Sequence, residues 1–97
     1  MMNYERPTTT FWMDFTIADK FGINAIKDTF NRAFREWKID YKMITELSMV
    51  LNHKCWSYYE VDEALCSLYS QLFYKVHEWA IDNLKGDALK HYLAVTD

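Results

Sequence analysis

Apolar residues recur at steps of three and four along most of this chain, the spacing that lines one face of a helix. Ile26, Phe30, Ala33, Phe34 and Trp37 mark one such face. They predict a helix from about Asn24 to Lys38, with the Asn24 side chain as its N-cap. Asp28, Arg32 and Glu36 follow at i, i+4 on the other side, where they can form weak surface ion pairs. Upstream, Pro7 discourages helix in the residue before it, so residues 1–9 read as a loose arm. A first helix is expected from Thr10 to Phe21. Gly22 ends it, because glycine accepts a left-handed backbone at little cost.

Downstream, Asp40 is the expected cap of a third helix reaching about Tyr59, with the stripe Ile44, Leu47, Leu51, Cys55 and Tyr58. A break near Val61 and Asp62 leads to a fourth helix, about Glu63 to Lys85, striped by Leu65, Leu68, Leu72, Val76 and Trp79. Gly86 closes it, and Asp87 can cap a short last helix carrying Leu89, Tyr92 and Leu93. The expected architecture is all-α: one domain over residues 10–97, a compact bundle of four to five helices with two long central ones. Phe30, Phe34, Leu47, Leu51, Leu68, Leu72 and Trp79 stand at stripe centres and should be almost fully buried.

The stretch MVLNHKCW, Met49 to Trp56, sets a histidine, a lysine, a cysteine and a tryptophan side by side. On a helix turning about 100° per residue, with Leu51 at zero, Cys55 falls at about 40° and His53 at about 200°. They point apart, so one regular helix makes of them neither a Cys–His nucleophile nor a chelate. Cys55 is expected as a small buried hydrophobe and His53 as a solvated surface residue. Trp56, at about 140°, falls beside Met49, at about 160°, away from the main stripe. Tyr74 and Ile81 do the same on the fourth helix, nearly opposite Leu72. A helix apolar on more than one side is either central in its fold or covered by a partner, and both readings stay open here. Met49, Trp56, Tyr59, Tyr74 and Ile81 are therefore the expected partner or dimer face. The competing expectation is that Phe11, Trp12 and Phe15 of the first helix cover it within one chain.

Composition narrows the function classes. The 97 residues carry a formal charge of −3, which argues against nucleic-acid binding through bulk positive charge. Four Trp, seven Tyr and six Phe are more large rings than a small core easily hides, and exposed rings suit interfaces. No apolar run approaches the ~18 residues of a membrane span. The opening MMNYERPTTT lacks a basic segment followed by an apolar one, so no secretory signal and a cytoplasmic location are expected. Two cysteines fit a reduced pair. The third and fourth helices could bring Cys66 near Cys55, but Cys66 falls about 120° from Leu72 and off the main stripe, so no disulfide is expected. No glutamate has a histidine three residues on, as a di-iron bundle needs, and His and Cys lack zinc-site spacing. Two glycines make neither a P-loop nor a dinucleotide-binding turn. No cofactor, metal or enzymatic activity is expected.

One segment, TIADKFGINAIKDTFNRAF, opens like a DNA-binding helix-turn-helix. Ile17 and Ala18 would pack inward, Phe21 to Ile23 would form the turn, and Lys27, Asn31, Arg35 and Lys38 could face phosphates. The usual buried positions of the second helix fall on polar Asp28 and Asn31, however, and the apolar Ile26 and Phe30 are out of frame. An ordinary helical corner with a solvated outer face explains the segment as well.

In the stretches TTFWMDFTIADKFG, AIKDTFNRAFREWK and TELSMVLNHK, and in the later NLKG, the chain resembles small uncharacterised proteins encoded on mobile genetic elements of gut bacteria. That likeness spans Tyr4 to Glu60 and the NLKG ending, and carries no catalytic residue across. It implies a cytoplasmic accessory protein, and by analogy an inhibitor of a host defence system such as a CRISPR or restriction nuclease. The leading expectation is thus a non-enzymatic helical module that binds a protein, including a second copy of itself. The alternative is a DNA-binding regulator using the corner at Gly22.

Overall fold

The computed structural model describes residues 10–37 and 41–96, with the side chains of residues 10, 36, 37, 41 and 42 outside that description. The 1–9 arm, Lys38 and the Asp40 cap therefore lie outside the described residues, as does the side chain of Trp37. Among the described residues five helices follow one another: α1 Thr10–Phe21, α2 Ile23–Trp37, α3 Tyr41–Ser57, α4 Glu63–Asn83 and α5 Gly86–Thr96. Among the described residues there is no strand. The protein is an all-α bundle, as the periodicity predicts.

The boundaries follow from local hydrogen bonding. Gly22 sits at φ +106°, a conformation that strains any side chain. Its N–H closes α1 on the Ala18 carbonyl, and its own carbonyl accepts from Ile26 N–H to open α2. Gly22 therefore does the capping expected of Asn24, which lies inside the first turn of α2. α3 ends at Ser57 rather than Tyr59, because the Tyr58 carbonyl turns to accept the N–H groups of Val61 and Asp62. Glu60 takes a left-handed φ of 63° to allow this turn, a position where non-glycine residues are uncommon. Asp62 then caps α4, accepting the Leu65 N–H at 3.2 Å. α4 stops at Asn83, two residues before the expected Lys85, because Leu84 goes extended and buries its side chain. The Lys85 carbonyl opens α5 by accepting from Ala88 and Leu89, so Asp87 is not the cap. It lies in the first turn instead, where its charge favours the helix N-terminus.

α3 and α4 form a helical hairpin across that turn, and α3 touches each of the other four helices. It buries Ile44, Leu47, Val50 and Leu51 completely, so its broad apolar surface belongs to a central helix. One hydrophobic cluster draws residues from all five helices. Phe30, Leu47, Leu51, Leu68 and Leu72 are buried as expected, but Phe34 and Trp79 are only partly so. Their rings meet edge to face, 5.9 Å apart, at the rim where α2 passes α4. Stripe angle identifies the inward face but not where the neighbouring helix ends. Ile17, expected inside, is exposed: α1 buries Phe11, Phe15 and Ala18, and Ile17 shares the opposite side with Met13 and Phe21.

Leu51→Ala should cost about 2–5 kcal/mol in urea denaturation, as a fully enclosed side chain does. Phe34→Ala should cost clearly less than Phe30→Ala. Equal losses for the two phenylalanines would show that the rim is as enclosed as the centre.

Candidate functional site

The last turn of α3 sends its side chains in two directions. Lys54 and Tyr58 reach inward to Asp19 on α1. Cys55 and Trp56, with Tyr59 just beyond the helix, line a groove on the other side.

The inward set is a buried charge cluster. Lys54 Nζ donates to Asp19 Oδ2 at 2.9 Å, an ion pair with side chains only 6% and 10% exposed. Tyr58 donates its hydroxyl to the same oxygen at 2.7 Å, and Tyr69 from α4 donates to Oδ1. Lys54 also donates to Thr16 Oγ1 at 2.9 Å and lies 4.7 Å from the centre of the Trp12 ring, a cation–π distance. The Tyr58 and Tyr69 rings stack within 6° of parallel. Burial, then the bond to Asp19 and its negative charge, push the Tyr58 hydroxyl up to about 12. The same causes raise Tyr69 further. Both tyrosines thus keep their protons and serve as donors. With three donors already on its two oxygens, Asp19 is poorly placed to act as a general base. The cluster's chemistry is cohesion between helices.

A second polar chain does the same for α5. Tyr92 is fully buried, with its hydroxyl 2.9 Å from Ser48 Oγ and 3.1 Å from His77 Nδ1. Neither set of residues lines the groove.

The groove lies between the end of α3 and the first turns of α4, with a volume of about 780 Å³. Trp56, 64% exposed, stands over it with the Tyr59 ring 5.4 Å away, and Val61 is more exposed still. Glu60 and Glu63 make one rim acidic, and Ser67, Ser70 and Gln71 supply polar contacts along the α4 wall. Ser67, Ser70, Tyr74 and Ile81 fall within about 60° of one another around α4, so that wall runs on toward the exposed Tyr74 and Ile81. Met49, two turns before Trp56, is partly buried. The Cys55 and Cys66 sulfurs are 3.5 Å apart as free thiols on this groove. The tight turn brings the end of α3 against the first turn of α4, so the two sulfurs meet although Cys66 lies off the main stripe. Cys55 is correspondingly only partly buried.

The first helix does not cover this face. Trp12 packs edge-on against His53, 6.3 Å between rings, and Phe15 against Tyr69. α1 thus occupies the His53–Lys54 side of α3 and leaves Trp56 open. On α2, Lys27, Asn31 and Arg35 are exposed at successive i, i+4 positions, with Asp28 exposed among them, and Lys38 lies outside the described residues.

The buried ion pair escapes a reading of the sequence. Lys54 and Asp19 are far apart along the chain, and nothing local marks them as partners. The exposed stripe Met13, Ile17 and Phe21, beside a small groove against Ala25 and Thr29, is by contrast legible. Placing α1 on a helical wheel separates it from Phe11, Phe15 and Ala18. Among the described residues no helix is long and apolar enough to cross a membrane, and no group of three His, Cys, Asp or Glu could hold a metal ion.

No family model, curated protein or solved structure matches the chain.

Asp19→Ala should cost about 3–5 kcal/mol, since it leaves the buried Lys54 charge unpaired. Adding Lys54→Met should restore part of that loss, and a double variant less stable than Asp19→Ala would refute the pairing.

The tyrosines predict a pH dependence. A hydroxyl raised from 10 to about 12 on folding stabilises the native state fully below pH 10. That contribution is lost as pH rises through 10 to 12. Denaturant titrations should show stability falling across this window. Tyr58→Phe should be less stable at about pH 8 and fall less steeply above about pH 10. An unchanged slope would remove Tyr58 from the account.

Proposed function

We propose that this protein is a non-enzymatic helical module that works by docking another protein on its α3–α4 face, with a second copy of the chain as the first partner. The observation that carries the reading is the exposure of Trp56, Tyr59, Tyr74 and Ile81 on a hairpin whose opposite sides are already packed. Large amphipathic rings at the centre of a face are the usual anchors of protein interfaces. A twofold arrangement lets one such patch serve both subunits. Lys75, exposed on α4 beside Tyr74, offers a partner for the acidic groove rim across the axis. Met49 flanks the patch from α3.

The likeness to mobile-element accessory proteins supports a different occupant for the same face, a component of a host defence system such as a CRISPR or restriction nuclease. The outer face of α2 mixes Lys27 and Arg35 with Asp28, and no observation favours a phosphate backbone there over water.

Light scattering at tens of micromolar should report a dimer that Trp56→Ala and Tyr74→Ala each weaken at least about tenfold while leaving the helical circular dichroism unchanged. Tenfold is a modest loss for an anchoring ring. A monomer at those concentrations, with Trp56→Ala lowering stability instead, would overturn the self-association reading.

A further inference from the structure

The groove holds a feature that docking does not use. Cys55 ends the packed part of α3, Cys66 lies in the first turn of α4, and their sulfurs are in contact at 3.5 Å. A disulfide needs about 2.05 Å between sulfurs. The remaining approach is within reach of side-chain rotation if the helices hold still. They are held: Asp62 caps α4, the Tyr58 carbonyl closes the turn with two hydrogen bonds, and Lys54, next to Cys55, is tied to Asp19. Both cysteines line the groove, so a small molecule can reach them in a chain whose α3–α4 face is not covered by a second copy. Glu60 and Glu63 line the same groove, and none of its lining residues is a cation. Burial and the neighbouring Cys66 thiol push Cys55 up to about 11, so at neutral pH little of it is thiolate and its attack on a disulfide is slow.

We propose that Cys55 and Cys66 form a thiol–disulfide exchange site that takes low-molecular-weight disulfides of the glutathione class and closes into an internal disulfide. In the first step, one cysteine gives up its proton, and its thiolate attacks a sulfur of the small disulfide. The bond between the two small-molecule sulfurs breaks, and one leaves as a thiolate that takes up the proton. In the second step, the other cysteine is deprotonated and attacks the protein sulfur of the mixed disulfide. The Cys55–Cys66 bond forms and the second small thiol departs with the second proton. Two protein thiols are oxidised and one small disulfide is reduced to two thiols. Excess small thiol reverses both steps. The bond would fasten the turn that carries Tyr59 and Val61, closing a short loop that the unfolded chain must also carry.

The test incubates the intact protein with glutathione disulfide at neutral pH and follows its mass. The expected product is a monomeric chain about 2 Da lighter with its helical circular dichroism preserved, since closing the bond removes two hydrogens. Trypsin cleavage after Lys54 and Lys75 confines both cysteines to one peptide, and the mass loss should map to it. Dithiothreitol should restore the original mass. The oxidised chain should melt at least ~5 °C higher. Cys55→Ser and Cys66→Ser should each instead accumulate a glutathione mixed disulfide on the remaining cysteine, which shows that the single thiol is reachable but cannot close. Thiols that stay free in the folded chain, mixed disulfides that persist on the unaltered sequence, or cross-linked dimers as the main product would each overturn the proposal.

Discussion

One carboxylate organises the part of this molecule that faces outward. Asp19 comes from α1, yet it collects donors from α3 and α4, at Lys54, Tyr58 and Tyr69. Among the described residues α1 meets α4 through side chains, Tyr69 bonding to Asp19 and packing edge-on against Phe15. The cluster therefore fixes the angle at which the first helix lies on the hairpin. A buried ion pair alone is weak support, because desolvating two charges offsets much of their attraction. Here the two tyrosine hydroxyls, the threonine oxygen and the Trp12 ring take up the remaining hydrogen-bonding and charge requirements. The arrangement is costly to break at any member, and that specifies one packing of the helices over its neighbours.

The shape of the groove is a consequence of that constraint. With Lys54 and Tyr58 drawn inward, the residues between and after them have nowhere to go but out. Trp56 and Tyr59 stand exposed because the side of α3 that could be covered is already occupied by α1. The turn that returns the chain to α4 is compact enough to need a left-handed Glu60. Strain of this kind persists only where surrounding interactions hold it. The Asp62 cap and the Tyr58 carbonyl supply them. The same compactness brings Cys55 and Cys66 into contact. Groove, strained turn and paired thiols share one anchoring.

The helices were legible because their information is local. Periodicity places the stripe residues Leu47, Leu51 and Leu72, and glycine at 22 marks a turn that the structure confirms to a residue. Legibility fails where the deciding contact is distant. Phe34 and Trp79 sit at stripe centres but at the edge of what their neighbours cover. Helix angle already separates Tyr69, about 60° from Leu72, from Tyr74 nearly opposite it, but not how completely Tyr69 and Tyr92 are enclosed. What the sequence does not show is the partner that each buried hydroxyl meets: Asp19 for one, Ser48 and His77 for the other. Of the candidate face, Trp56, Tyr59, Tyr74 and Ile81 were readable as surplus apolar positions. The thiol contact was readable only as something two neighbouring helices allow, since helix angles measured separately on α3 and α4 say nothing about the turn that joins them.

The surplus of aromatic rings then has a physical sorting rule. A ring with a polar tip is admitted to the interior only where that tip finds a partner, because an unsatisfied buried hydroxyl costs more than the ring's burial returns at the margin. Phe11, Phe15 and Phe30 carry no such requirement and are buried outright. Tyr69 and Tyr92 meet it. Tyr59 and Tyr74 keep their hydroxyls in water and their faces open. A small chain sorted this way buries Phe11, Phe15 and Phe30, its partnered tyrosines and its aliphatic stripes, and leaves other apolar residues exposed both on α1, at Met13, Ile17 and Phe21, and on the hairpin. Rings displayed there are held on helices and a hydrogen-bonded turn rather than on loose loops, so a partner meeting them would lose little freedom in ordering them. In the docking proposed for the α3–α4 face, the helices and the hydrogen-bonded turn are what present these rings.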